Sequence, residues 1–375
     1  MNEQEVFYTI ALTRLTGFNS QATTLLYRTL GSGQAVYEHR GDIGQMLGDC
    51  SPRLVETLKN WDEALKRAAA EMEFIRRHNI QALTLADPLY PRRLAECTDA
   101  PVVLYYKGNA DLNQQYVVDI VGTRRCTAYG QDLVRRFVDR LKNLCPRVLI
   151  VSGLAYGIDI CAHRQALQKG LETVGVLAHG LDTIYPGHHR QTAAEMLKQG
   201  GLMTEYMTQT EPLPNNFRQR NRIVAGMSDA TIIVESAESG GALITARIAQ
   251  DYGRDVFAFP GPVGATYSVG CNRLIRDSRA GLITSADDFV ETMGWHTEEE
   301  KAKTGTQGIE RQLFPDLSDE EKIVVTQLQQ AGDLQLNILS VKTNIPIGRL
   351  TALLFQLEMK GLVRPLAGGS YHLLK

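Results

Sequence analysis

The chain has 375 residues, with 40 Lys+Arg against 42 Asp+Glu and a formal net charge of −2. Hydrophobic residues make up 43% and charged residues 22%, a globular composition that excludes a mainly disordered chain, a collagen-like chain and a disulfide mini-scaffold. At roughly 100–200 residues per domain the length predicts two or three domains, and the balanced charge excludes a broadly basic nucleic-acid binder, so cations that serve nucleic acid must be local.

No apolar run approaches the roughly 18–20 residues of a transmembrane helix, so no membrane span is expected. The start, MNEQEVFYTI, lacks the basic and long apolar regions of a signal peptide, which predicts a cytoplasmic protein. The six cysteines, at 50, 97, 126, 145, 161 and 271, show no CxxC spacing and read as structural thiols of a reducing compartment. His188-His189 has no carboxylate or Cys cluster at ligand spacing, so it reads as a solvated loop, and neither metal nor cofactor is expected.

Residues 1–65 read as short helices, with apolar residues at helical spacing in Val6, Ile10, Leu12 and Leu15 and again in Leu25, Leu26 and Leu30. Breaks at Gly17 and across Gly48-Asp49-Cys50-Ser51-Pro52 predict paired helical hairpins, a small DNA-binding or docking module of SAM-like or helix-hairpin-helix-like type. Five Lys+Arg against eight Asp+Glu in this stretch favour a plain interaction bundle. A helix is expected over 62–78, then an extended stretch from Leu83 to Leu94, because Pro91 restricts Tyr90 to extended backbone. A strand follows over Val102–Tyr106. Residues 66–108 are a lead-in to the core, which the domain division takes as 66–295.

Between about 110 and 295, apolar runs alternate with helical patterns. Strands are expected at Val117–Val121, Val148–Ser152, Thr173–Leu177, Gly201–Glu205, Thr231–Glu235, Asp255–Phe259 and Leu282–Thr284. Helices are expected at 128–144, 157–169, 189–199, 217–227, 241–253 and 269–279. The runs are continuous rather than alternating, so the strands are buried on both faces. Repeated β-α-β units of this kind predict an α/β fold: an extended Rossmann-like, doubly wound, mainly parallel sheet. Residues 296–315 are too polar to order themselves and read as a flexible linker. Over 316–375, helices around Ile323–Leu328, around Leu336–Val341 and from Pro346 to Lys360 precede a Gly361 cap. A hairpin follows, turning at Gly368-Gly369. This predicts a winged helix whose recognition helix is 346–360.

Ligands of a doubly wound sheet bind at the carboxyl ends of its strands. The loop Gly122-Thr123-Arg124-Arg125 joins a small residue, helix amides and guanidinium groups, the parts of a phosphate site. Ser152-Gly153 opens a second glycine turn. Gly240-Gly241, with Thr245, opens a third at a helix start. Each turn alone is also what a tight βα connection needs for folding. The loop Asn216-Phe217-Arg218-Gln219-Arg220-Asn221-Arg222 sets three arginines beside a ring, which suits a ligand carrying phosphates and bases. The bland alternative is a solvated helix start, although cations there oppose the helix dipole unless an anion binds.

The runs VDIVGTRRCTAYG, VSGLAYGIDICAH, GLDTIYP, NFRQRNRIVAGMSD and VESAESGGALITARIAQDYGRDVFAFPG resemble the DNA processing protein A family, DprA/Smf, in order and spacing over about 100–285. The resemblance implies a cytosolic bacterial protein that protects single-stranded DNA and loads the RecA recombinase during natural transformation and homologous recombination, with no turnover chemistry. It also implies a homodimer that associates through the middle domain. On this reading Arg124 clamps a phosphate, Phe217 stacks on or walls a base, and Arg220 and Asn221 contact DNA or brace the pocket. Three departures stand out: Tyr156 where an Arg is usual, Arg218 where a Pro is usual, and Asp277-Ser278-Arg279-Ala280 in place of a Gly-Ala ending.

Two other readings compete. Related sheets resemble nucleotide phosphoribohydrolases, which carry a catalytic Glu after a glycine turn. Here Gly240-Gly241 is followed by no Glu through Arg247. The winged helix could instead be a duplex reader, but only Arg349 and Lys360 fall on its recognition helix, which is few cations for that task. The middle domain, 109–295, holds 19 Lys+Arg and 19 Asp+Glu. Its cations concentrate in two loops, which predicts a narrow track for a flexible single strand.

Overall fold

The continuous apolar runs of the middle segment form the centre of one sheet, in a computed structural model that describes residues 2–15, 20–46, 52–295, 317–360, 362–366 and 369–373. The expected breaks at Gly17 and 48–51, the linker over 296–315, the Gly361 cap and Gly368 of the hairpin turn lie outside the described residues. Residues up to 295 belong to one compact unit and those from 317 to another.

In the first unit, six helices precede the sheet among the described residues: α1 (Glu3–Arg14), α2 (Ser20–Leu30), α3 (Gly33–Glu38), α4 (Ile43–Met46), α5 (Pro52–Lys59) and α6 (Asp62–His78). Asn2 caps α1 by accepting from the Gln4 amide at 3.1 Å. The helix buries Val6, Ile10 and Leu12 in a core shared with Ala82, Val103 and Tyr105 of the sheet. The boundary expected at 65 falls inside α6. Glu71 of that helix, 2% exposed, accepts from Arg67 Nη2 at 2.8 Å and from Thr208 Oγ1 at 2.6 Å. This clamps the helix to the segment that leaves the sheet.

The sheet strands are β1 (Gln81–Thr84), β2 (Val103–Gly108), β3 (Val117–Val121), β4 (Leu149–Ser152), β5 (Thr173–Val176), β6 (Gly200–Thr204), β7 (Ala230–Ile233), β8 (Asp255–Ala258) and β9 (Gly281–Leu282). Their order is β1-β2-β6-β5-β4-β3-β7-β8-β9. All pairs are parallel except β1 with β2 and β2 with β6. Every residue of β3 to β7 is buried. Each Val or Ile so buried contributes about 1.5–3 kcal/mol. The extended stretch expected over 83–94 is a strand only to Thr84. Asp87 then closes a turn on the Leu89 amide at 2.8 Å, and Pro91 caps the single-turn helix α7 (Arg92–Ala95), where no amide donor is required.

The crossovers are α8 (Ala128–Leu144), α9 (Ile158–Gln168), α10 (Arg190–Met196), α11 (Pro214–Gly226), α12 (Gly241–Asp251) and α13 (Val269–Arg276), and α14 (Ala286–Thr292) closes the unit. Val134, Phe137, Val138 and Leu141 recur at helical spacing in α8 and form its buried face. Phe137 there packs edge-on against Phe259 and Phe289.

The second unit contains α15 (Asp319–Ala331), α16 (Leu336–Thr343) and α17 (Ile347–Met359), with strands β10 (Leu334–Gln335), β11 (Val363–Leu366) and β12 (Ser370–Leu373) in the order β10-β12-β11. A capping box of Ser318 and Glu321 starts α15. Val324, Leu328, Leu339, Leu350 and Leu354 form the core of this winged helix. Pro346 is the cap of α17 rather than part of its first turn.

Candidate nucleic-acid interface

The chain winds outward from β3 through β4, β5 and β6, then returns to β7 on the other side of β3. This reversal opens a crevice at the carboxyl ends of β3 and β7, the place where doubly wound sheets take ligands. A cavity of about 450 Å³ lies there. It is lined by the loops after β3, β4 and β7 and by the start of α11. Of the residues expected at the site, Gly122, Thr123, Arg124, Phe217, Arg218, Arg220, Asn221, Gly240, Gly241 and Thr245 line it together.

The turn after β3 is held by backbone. The Thr123 amide donates to Glu235 O at 2.7 Å, and its carbonyl accepts from the Ile158 amide at 3.2 Å. Gly157, at φ +78°, lets this turn approach, because a Cβ there would overlap Thr123 O and Arg124. Arg124 is left exposed. Its guanidinium carbon lies 5.2 Å from the centroid of the Phe217 ring, with Arg220 at 6.0 Å and the Tyr185 ring at 5.8 Å. At the start of α12, Gly240 offers no side-chain cap. The first amides of that helix are therefore claimed by no capping side chain and face an anion-ready crevice.

Arg220 works from beneath. Only 3% exposed, it donates Nη1 to Gly153 O at 2.6 Å and also to Val176 O, and Nε to Asn221 Oδ1 at 3.3 Å. A Cβ on residue 153 would overlap the guanidinium, which is why that turn carries a glycine. Burial lowers Arg220 to about 10, against the pull of Asp159, so the group remains charged at neutral pH. Burial raises the Asp159 carboxyl, and Arg220 pulls it back. Asp159 Oδ2 accepts from the Gly153 amide at 3.2 Å.

Four expected site residues take other positions. The stretch 216–222 is helix rather than loop, because α11 starts at Pro214. Two residues along a helix is about 200° of rotation, so Arg222 leaves on the side opposite Arg220. It is buried against Glu205 and donates to Asp99 O at 2.6 Å. Ser152 is fully buried and ties β4 to β3 through Ile120 O at 2.7 Å. Gly153 underlies Arg220 without lining the cavity. Arg125 is exposed outside the lining.

Sequence reasoning missed the support of the loop after β4. Leu154 has φ +53°, in the left-handed region where a branched side chain is rare. Its amide donates to His163 Nε2 at 3.3 Å, and its carbonyl accepts from His189 Nδ1 at 2.9 Å. These bonds fix His163 with its proton on Nδ1, which donates to Thr173 Oγ1 at 2.7 Å, and that hydroxyl donates to Ile150 O at 2.9 Å. Burial pushes His163 down to about 3. His189 is therefore a buried support and only His188 is solvated, which corrects the reading of the pair as one loop. Among the described residues no cluster of three His, Cys, Asp or Glu could hold a metal. Glu235 accepts from the Thr127 amide and hydroxyl at 2.9 and 2.6 Å, and Glu238 lies 3.9 Å from Arg273, so neither carboxylate lines the cavity. No described helix is long and apolar enough to cross a membrane.

A family model described as DNA recombination-mediator protein A matches residues 81–294, and one described as the DprA winged helix domain matches 310–369. DNA processing protein DprA of Streptococcus pneumoniae is 40% identical over 56% of this chain and 73% of its own length. Protein Smf of Synechocystis is 34% identical over 80% of this chain and 82% of its own length. The X-ray structure of the Streptococcus pneumoniae DprA aligns with a TM-score of 0.64 and 34% identity, covering 76% of this chain and 97% of that one. A structure of DNA processing protein A from Helicobacter pylori, described for its single-stranded DNA binding mode, aligns at 0.52 and 30%, covering 57% and 95%. With the matched domain spanning the whole crevice and its supports, the chain belongs to the DNA recombination-mediator protein A family.

Proposed function

We propose that the crevice binds single-stranded DNA without turnover and that the protein delivers the strand to the RecA recombinase in natural transformation or homologous recombination. One observation carries the binding step: the Phe217 ring, exposed Arg124 with its guanidinium carbon 5.2 Å from the ring centroid, and the open glycine turns line one anion-ready crevice together. A ring that stacks on a base and a cation that meets its phosphate are the two elements of single-strand recognition. A duplex keeps its bases inside the stack, where a cavity of this size cannot reach them. The binding mode described for the Helicobacter pylori relative supports the reading.

Residues 66–295 act as the binding core, and Arg124, Arg218, Phe217 and Asn221 are its contacts. Arg220 is a positioning residue. The protein acts as a homodimer in the cytoplasm. The winged helix has an auxiliary docking role: Arg349 is paired with Glu320 at 2.8 Å and Lys360 with Glu321 at 2.7 Å, so its two recognition-helix cations are already engaged. A titration of single-stranded against duplex DNA across salt, with and without RecA, tests this function. Tighter single-strand binding and faster RecA filament formation are expected, and equal affinity for duplex would overturn it. Release of free base from nucleoside monophosphates would overturn the non-catalytic reading.

A further inference from the structure

Beside the crevice lies a second depression joined to it by one exposed ring. Tyr156 follows Ala155, which lines the crevice, but is not itself in the lining. Its side chain is 41% exposed. The ring stands edge-on against buried His189 with centroids 4.9 Å apart, and its hydroxyl meets His188 Nδ1 at 3.4 Å. Since His189 also holds the Leu154 carbonyl, Tyr156 has a fixed seat.

His188 belongs to a groove of about 660 Å³ beside α9 and α10. Arg164 from α9 and Lys198 just after α10 line it and are exposed. Arg164 donates Nε to Thr192 Oγ1 at 3.3 Å. Glu195, the one carboxylate of the lining, is engaged by Gln191 at 3.2 Å. On the crevice side Tyr185 is 45% exposed and stands beside Phe217. Only Pro186 and Gly187 separate it from His188 in the chain. Phe217, Tyr185 and Tyr156 thus lead from one cation cluster to another.

We infer that Tyr156 is a second stacking platform and that the groove beside α9 and α10 is a phosphate subsite, with Arg164 and Lys198 as its cations. A strand longer than the crevice runs over Tyr156 into that groove. Alternating rings and cations along a surface form the pattern that tracks a single-stranded backbone while tolerating any base. The inference rests on the reading of the crevice as a single-strand site and extends its footprint.

The test uses the full chain and labelled oligothymidylates of about 4 and about 16 nucleotides. The readout is the ratio of long-strand to short-strand affinity. Tyr156→Ala is expected to lower that ratio by about 5- to 150-fold, the loss of one stacked base, and Tyr156→Phe to restore it. Arg164→Glu combined with Lys198→Glu, both at the surface, is expected to lower the ratio and to flatten the salt dependence of the long strand only. This second variant decides the matter if Tyr156→Ala does not fold. A ratio unchanged in the folded variants overturns the inference, as does equal weakening of both lengths. Arg124→Ala that leaves both lengths bound as in wild type overturns the crevice reading instead.

Discussion

Replacing Arg220 by Met separates a buried brace from a phosphate contact. The side chain is 3% exposed and serves two backbone carbonyls and the field around Asp159. Met fills much of the volume and supplies none of the charge. Removing one partner of a buried ionic arrangement costs about 3–5 kcal/mol, which is a large share of the ~5–15 kcal/mol that holds a domain folded. The loss should also depend on pH. Asp159 is already raised by burial with Arg220 present; without the guanidinium it keeps its proton in the folded protein to still higher pH, where the unfolded chain, near the ordinary value of about 3.9, has released it. The unfolded state then binds fewer protons, so the stability of the variant falls as pH rises above about 4 and recovers on acidification. Adding Asp159→Asn should remove that slope and recover much of the loss. Denaturant melts of wild type, single and double variants across pH 4–8 measure all of this. A single variant within about 1 kcal/mol of wild type, or one that follows the wild-type pH curve, refutes the brace. A DNA salt slope lowered by about 0.7 at unchanged stability would place Arg220 on a phosphate instead.

Arg124→Ala should leave the melting temperature unchanged, because the side chain is exposed, and should lower the single-strand salt slope by about 0.7. An unchanged slope removes Arg124 from the phosphate path. Phe217→Ala should weaken single-strand binding by about 1–3 kcal/mol, measured by anisotropy, and a smaller loss would mean that the ring walls the crevice without stacking. His163, held down to about 3 in the folded state, contributes stability that is complete above the unfolded value near 6.5 and is lost as pH falls toward about 3. His163→Gln keeps an acceptor for Leu154 and a donor for Thr173 but cannot titrate. It should flatten the stability curve below pH 6.5 by up to about 1.4 kcal/mol per unit, and melts that retain the wild-type slope would reject this origin.

The parallel strands were legible in sequence because burial on both faces leaves an unbroken apolar run. Strand order was not, since nothing in β2 itself says that it pairs antiparallel with β6. The turns at Gly122 and Gly240 were legible as strand-glycine-helix patterns, and at Gly122 a Cβ would overlap Ile158 and the Glu235 carbonyl. Leu154 was not, because a leucine at positive φ leaves no sign in composition, and its supports come from His163 and His189, remote in the chain. Arg220 and Arg222 looked equivalent as residue types. Helical phase and the buried Glu205 assign them to opposite sides, and that requires knowing that the helix begins at Pro214. Asp159 was visible only as part of a motif, because its importance lies in which guanidinium it faces.

The antiparallel pairing of β2 with β6 sets an order of events during synthesis. Tyr105 pairs with Thr204, and Arg67 reaches Thr208, 141 residues further along. At about 5–20 residues per second, Arg67 of α6 waits roughly 7–30 s for its partner to be made. Over that interval the edge of β2 that pairs with β6 has no strand to cover it, which is the condition under which nascent chains associate. The N-terminal helices can pack on β1 and β2 early, but the β2 edge is covered late, so slowing translation between residues 108 and 208 should lengthen the exposure of that edge more than slowing it anywhere later in the chain.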